Sequence, residues 1–168
     1  MVCLADLDNL QIARDLIAAG LRLSIVRSLT GLGTRILRKL WKEIHGASPK
    51  NGRLPDTVLS FIEDYDSAAK LAAFVSIHKI VYSVSVPALA NYKLHHLSLT
   101  PQSLLNAWKD FQLINTTDLD INAAYFAARD VGIQIVMFAK CRTCDARFIY
   151  DSGKKYTERC PFCRTRIV

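Results

Sequence analysis

No stretch of this 168-residue chain is long and apolar enough to cross a bilayer: the longest, Val131 to Ala139, is too short and already contains Gln134. No secretory leader is expected either, since no run of basic, apolar and small residues precedes the first polar residues, Asp6 and Asp8. Low-complexity tracts are absent, and a composition that is 51% hydrophobic describes a folded chain rather than a disordered one. There is no phosphate loop, no dinucleotide fingerprint and no nucleophile elbow. The histidines form no catalytic pattern: His78 lies among apolar helix positions, and His95 and His96 point from adjacent faces of one helix and cannot reach one ion. Glu63, Asp64 and Asp66 read as a solvated helix end or a partner contact, not as a metal carboxylate cluster. Together these absences argue against a membrane-spanning, secreted or catalytic protein. They predict a cytosolic, non-enzymatic chain with one sizeable core, or a modest core plus an appended module.

What the chain does hold is a pair of cysteine motifs. Cys141-x-x-Cys144 and Cys160-x-x-Cys163 are separated by 15 residues. Four thiolates at this spacing, two from each of two tight turns, suit the tetrahedral demand of one structural zinc ion. A closed four-sulfur site has no open position for substrate, so it points to architecture. Iron in a rubredoxin-like site would use the same ligands, and Cys160-Pro161-Phe162-Cys163 occurs in such knuckles. Disulfides need an oxidising compartment, which nothing in the sequence indicates. The fifth cysteine, Cys3, reads as a bystander thiol.

Net charge is +7, and its distribution is uneven. Residues 1–53 carry 9 basic and 4 acidic side chains, residues 54–137 carry 5 and 8, and residues 138–168 carry 8 and 3. Two cationic ends around an acidic body predict two surfaces that face a polyanion, duplex nucleic acid.

Hydrophobic spacing predicts helices over Asp8–Gly20, Leu21–Leu29 and Thr34–His45, the last with Thr34 as its N-cap. Short helix, glycine turn (Thr30-Gly31-Leu32-Gly33) and helix is the layout of a helix-turn-helix. At 100° per residue, Arg35, Arg38, Lys39 and Lys42 fall opposite the stripe of Leu37, Leu40, Trp41 and Ile44, so the exposed face is a band of cations. Arg27 is an anomaly, because a small residue is expected where the two helices approach. Residues 47–55 form a linker by composition, with two prolines, a glycine and two cations. Further helices are predicted over Asp56–Tyr65, Ser67–Val84, Pro87–Leu97 and Pro101–Leu113, and another capped by Thr117 or Asp118 and stopping at Gly132. A strand at Ile133–Ala139 then enters a ribbon with strands at Ala146–Tyr150 and up to Glu158. About thirty residues cannot build a core, so a bound metal should supply much of this module's folding free energy. The predicted class is therefore mainly α: a helical region 1–46 with a helix-turn-helix-like segment, linker 47–55, helical body 56–132, and a small zinc-ribbon-like β module at 133–168.

Several pieces, in order along nearly the whole chain, resemble the FlhC family, the zinc-containing subunit of the bacterial flagellar master regulator. They are Ala13-Arg14-Asp15-Leu16-Ile17, Gly20-Leu21-Arg22-Leu23, Leu37-x-x-Leu40-Trp41-Lys42-Glu43-Ile44-x-Gly46, Ser48-Pro49, Leu54-Pro55 and the two CxxC pairs. The resemblance implies a mostly helical protein that assembles with an FlhD-type subunit, binds flagellar promoter DNA and recruits RNA polymerase. It assigns Cys141, Cys144, Cys160 and Cys163 as zinc ligands and Thr34–His45 to the helix-turn-helix region. On this reading Arg35, Arg38, Lys39 and Lys42 contact phosphates or base edges, and Lys50, Arg53, Lys154, Lys155, Arg164 and Arg166 mainly contact phosphates. The rival reading is a zinc adaptor that binds RNA polymerase or another regulator without touching DNA.

Overall fold

A computed structural model describes residues 4–49, 52–82, 99–115 and 118–166. Helix α1 (Leu4–Ala18) buries Ala13, Leu16 and Ile17. It ends at Gly20, whose φ of 91° lets Gly20 N–H reach the Ile17 carbonyl and Leu21 N–H reach that of Leu16, the paired bonds that close a helix C-terminus. Helix α2 (Leu23–Thr30) buries Ile25 and Val26, and a turn through Gly31 leads into α3 (Thr34–His45), which buries Leu37 and Trp41. Thr34 is not the cap expected of it. Gly33 occupies the extended N-cap position without a side-chain bond, and Thr34 is already helical.

The segment expected to be helical from Asp56 is a single 3₁₀ turn, Val58–Phe61. Its first N–H is taken by the carboxylate of Asp130, 2.7 Å away. Asp64 then starts α4 (Tyr65–Ile77) with a reciprocal capping box to Ser67. The long helix predicted to Val84 changes at His78 into a π-helical turn, His78–Tyr82. The widening starts where the His78 ring is buried against Phe74 and Nε2 lies 3.2 Å from Ser103 Oγ. The predicted helix Pro87–Leu97 lies outside the described residues. Helix α5 (Pro101–Ile114) is capped by Thr100, with Pro101 in its first turn. Helix α6 (Ile121–Gly132) is capped by Asp120, not by Thr117 or Asp118.

The strand expected from Ile133 begins only at Met137. The Ile135 and Val136 N–H groups are both directed to the Asp130 carbonyl at the end of α6, so they are not free to join a ladder. Strand β1 (Met137–Lys140) pairs antiparallel with β2 (Arg147–Tyr150), Met137 opposite Tyr150 and Lys140 opposite Arg147. The strand expected up to Glu158 is a run of turns instead. Thr157 Oγ1 lies 2.8 Å and 2.7 Å from the carbonyls of Asp151 and Lys154, and among the described residues a single bridge, Arg159 to Arg166, follows.

One core runs from Ala13 on α1 to Ile149 on β2, with an aromatic cluster of Phe74, Trp108 and Phe111 where α4 meets α5. Neighbouring strand residues point to opposite faces, yet Phe148 and Ile149 are both buried. Ile149 joins the main core, while Phe148 packs with Cys141, Cys160 and Ala72 of α4. The cysteine-bearing module therefore shares packing with the helices.

Candidate metal centre and cationic face

Two equivalent turns build the cysteine cluster. In the first, Cys141 N–H donates to the Ala146 carbonyl and Asp145 N–H returns to that of Cys141; in the second, Cys160 N–H donates to Thr165 and Arg164 N–H returns to Cys160. Asp145 and Arg164 occupy the same position in the two turns and both have left-handed backbone, φ 59° and 65°. The repeat brings all four Sγ atoms within 4.8 Å of one another. Cys141 and Cys163 are 3.5 Å apart, and Cys144 and Cys160 are 3.6 Å apart. Four thiolates placed tetrahedrally at a Zn–S distance of ~2.3 Å would be separated by ~3.8 Å, so the cluster fits a metal ion of that size.

The donor chemistry agrees. Backbone N–H groups of Cys144 and Thr143 lower the Cys141 thiol below its ordinary range. The Thr165 hydroxyl and N–H lower Cys163 to about 6. At Cys144 the Ala146 N–H also favours the thiolate, but desolvation and the three neighbouring sulfurs outweigh it and push the thiol up to about 12. Burial likewise raises Cys160. Four sulfurs this close cannot all be thiolates unless a cation sits among them.

The module is also clasped to α4 by aromatic rings. Tyr156 meets Tyr65 edge-on at 5.1 Å, and the Arg164 guanidinium lies 3.8 Å from the centre of the Tyr65 ring. Lys155 stands 4.6 Å over Tyr156. Two cations expected to meet phosphates thus each lie against a tyrosine ring, and both remain exposed. Arg166 is exposed and Lys154 is half-buried.

On α3, Arg35, Arg38, Lys39 and Lys42 are all exposed, and Lys39 has a loose ion pair with Glu43 at 3.9 Å. The helix is fixed from behind by His45, whose Nε2–H donates to the Ile17 carbonyl at 2.8 Å while its ring packs 4.3 Å from Trp41. In the linker, Arg53 pairs with Asp56 at 3.2 Å, and Lys50 lies outside the described residues. Sequence reasoning missed two further arginines. Arg22 and Arg27 of the α2 segment line a cleft with Arg38 and Trp41, and Arg38 and Lys42 line a second recess with Ser48 and Pro49. The only sequence signal was the misfit of Arg27 between two helices. Among the described residues no helix is long and apolar enough to cross a membrane.

The sequence model of a family described as "Flagellar transcriptional activator (FlhC)" matches residues 2–166. Flagellar transcriptional regulators FlhC of Sodalis glossinidius and Variovorax paradoxus are 27% and 28% identical, covering 92% and 96% of this chain and 76% and 77% of their own lengths. The regulator of that name from Gallionella capsiferriformans is 26% identical over 95% of this chain and 85% of its own. A mainly helical chain with a four-cysteine centre, matched from end to end by this model, belongs to the FlhC family of flagellar transcriptional activators.

Proposed function

We propose that this chain is the DNA-binding subunit of a heteromeric bacterial activator of flagellar genes. It assembles with an FlhD-type subunit, binds promoter duplex and promotes recruitment of RNA polymerase. The observation that carries the reading is the face of α3: four cations point away from a buried Leu37–Trp41 stripe, in a chain of a transcription-activator family. A solvated helix normally mixes signs, whereas a one-signed band rewards contact with phosphates. In this account α2 and α3 act as a helix-turn-helix with α3 at the groove.

Cys141, Cys144, Cys160 and Cys163 would hold one zinc ion, which when bound neutralises the crowded thiolates and supplies no catalysis. Its role is to keep the turns closed, so that Lys154 and Arg166 face outward while Arg164 stays on Tyr65. The engaged state of Arg164 and Lys155 favours a second reading for the module alone, as a surface for RNA polymerase or another regulator.

The test is fluorescence anisotropy of labelled flagellar-promoter duplex against a scrambled duplex, with the chain co-purified with its FlhD-type subunit, across a salt series. Promoter preference with a steep loss of affinity as salt rises supports the activator reading. Absence of duplex binding at every salt concentration sinks it in favour of the adaptor.

A further inference from the structure

The cleft between α2, α3 and the linker has a volume of about 280 Å³. Arg22, Arg27 and Arg38 line it together with the hydroxyl residues Ser24 and Thr34 and the ring of Trp41. No Asp or Glu is among its lining residues. Arg27 and Arg38 have no ion pair among the described residues, although exposed carboxylates are available elsewhere on the surface. The linker closes the third wall. A side chain added at Gly52 would meet the Arg22 guanidinium at 3.6 Å, so that guanidinium lies against the linker backbone. Arg27 and Arg38 bring two charges without an ion pair among the described residues to a concavity whose lining holds no carboxylate, and an anion seated there would relieve their mutual repulsion. A tetrahedral anion with several acceptor oxygens matches guanidinium forks and hydroxyl donors together.

We propose that this cleft is a phosphate site: it seats one backbone phosphate of the duplex, on the α2 side of the cationic face of α3. The inference rests on the DNA-binding reading above and extends it to residues outside α3. Arg38 belongs to both surfaces, lining this cleft and the neighbouring recess with Lys42, so the two are continuous. A phosphate seated here fixes the register of α3 on the duplex without reading sequence. Arg27 is the diagnostic residue. It is exposed and has no side-chain bond among the described residues, so Arg27→Gln should leave the fold intact, which an unchanged helical spectrum checks.

The experiment uses the complex with the FlhD-type subunit, wild type and Arg27→Gln, on promoter and scrambled duplexes over a salt series. A second arm compares melting in inorganic phosphate and in sodium chloride at matched ionic strength. The expected result is up to about tenfold weaker binding of both duplexes by the same factor, with the log–log salt slope shallower by about 0.9. Phosphate should also raise the melting temperature of wild type more than that of Arg27→Gln. If wild type selects the promoter but Arg27→Gln binds with unchanged affinity and slope, the cleft assignment is overturned while the DNA-binding reading stands. If wild type binds no duplex but phosphate stabilises it through Arg27, the site stands with a free phosphorylated small molecule as its source, and the DNA-binding reading falls. If neither duplex nor phosphate distinguishes the two proteins, the phosphate site is wrong.

Discussion

Removing the metal from the four-cysteine centre should destabilise the helices as well as the module. Phe148 and Ile149 are 1% and 2% exposed and Val136 is 5% exposed, and between them they join the module to α4 and to the main core. Burial of each contributes about 2 kcal/mol, or about 6 kcal/mol for the three. About half of that sum is offset when a melted module regains chain entropy, which leaves a loss of about 3 kcal/mol. For a domain of this size 1 kcal/mol moves the midpoint by about 2–4 °C, so the helical transition should fall by about 10 °C. The assay is a circular dichroism melt at 222 nm with and without a strong chelator, with metal release followed by elemental analysis. Phe148→Ala provides an independent arm, because it retains all four thiols and should still cost about 3–5 kcal/mol. Complete metal release with an unchanged helical midpoint would refute the shared-core argument.

Other perturbations test separate parts of the account. Cys160→Ser should lose most bound metal, and the wild-type protein should be colourless with about one zinc per chain by elemental analysis; a red protein would identify ferric iron. His78 is held neutral, its pKa lowered from 6.5 to about 4 chiefly by burial and then by Lys79, so the unfolded chain binds the extra proton between those values. Stability from this ring is therefore full above pH 6.5 and declines as pH falls to 4, by up to about 3 kcal/mol. His78→Gln should flatten that part of the profile in urea titrations, and because acid release of metal is common to both proteins, parallel profiles would contradict the assignment. Asp130 is fully buried and accepts from Val58 N–H and from Arg129, both at 2.7 Å. Asp130→Ala should lower stability by about 3 kcal/mol in the same titration, with Asn intermediate; a change under about 0.5 kcal/mol would show that the segment ahead of α4 is not pinned there. Asp145→Gly should stabilise the first cysteine turn by up to about 1 kcal/mol, since φ there is 59°; a lower melting midpoint would instead make its 2.9 Å pair with Lys140 the dominant effect.

The parts of the fold that could be read from sequence were those decided by near neighbours. Gly20, Gly31 and Gly46 end their helices with positive φ, and Pro101 follows its Thr100 cap, because these signals act within one turn of chain. The two CxxC pairs announced the four-sulfur cluster through spacing alone. Where tertiary bonds competed, local reasoning failed. Ile133–Val136 is rich in β-branched residues and strand-like, yet its N–H groups turn back to the last carbonyls of α6, those of Ile135 and Val136 to Asp130. Asp56–Phe61 could not show that Val58 N–H is claimed by a carboxylate 72 residues away. The same holds for the candidate site: the cations of α3 followed from helical angle, whereas Arg22 and Arg27 joined them only when the linker folded over α2. Nor could sequence show that Arg164 and Lys155 lie against tyrosine rings.

The central claim is that the cations of α3 hold promoter DNA, and one variant tests it most directly. Arg35, Arg38, Lys39 and Lys42, all exposed, are replaced together by Gln, and the complex with the FlhD-type subunit is titrated onto promoter duplex across salt. The account predicts an unchanged helical spectrum, at least about 100-fold weaker binding, and a log–log salt slope shallower by about 3 to 4. Wild-type affinity with a wild-type slope would contradict it.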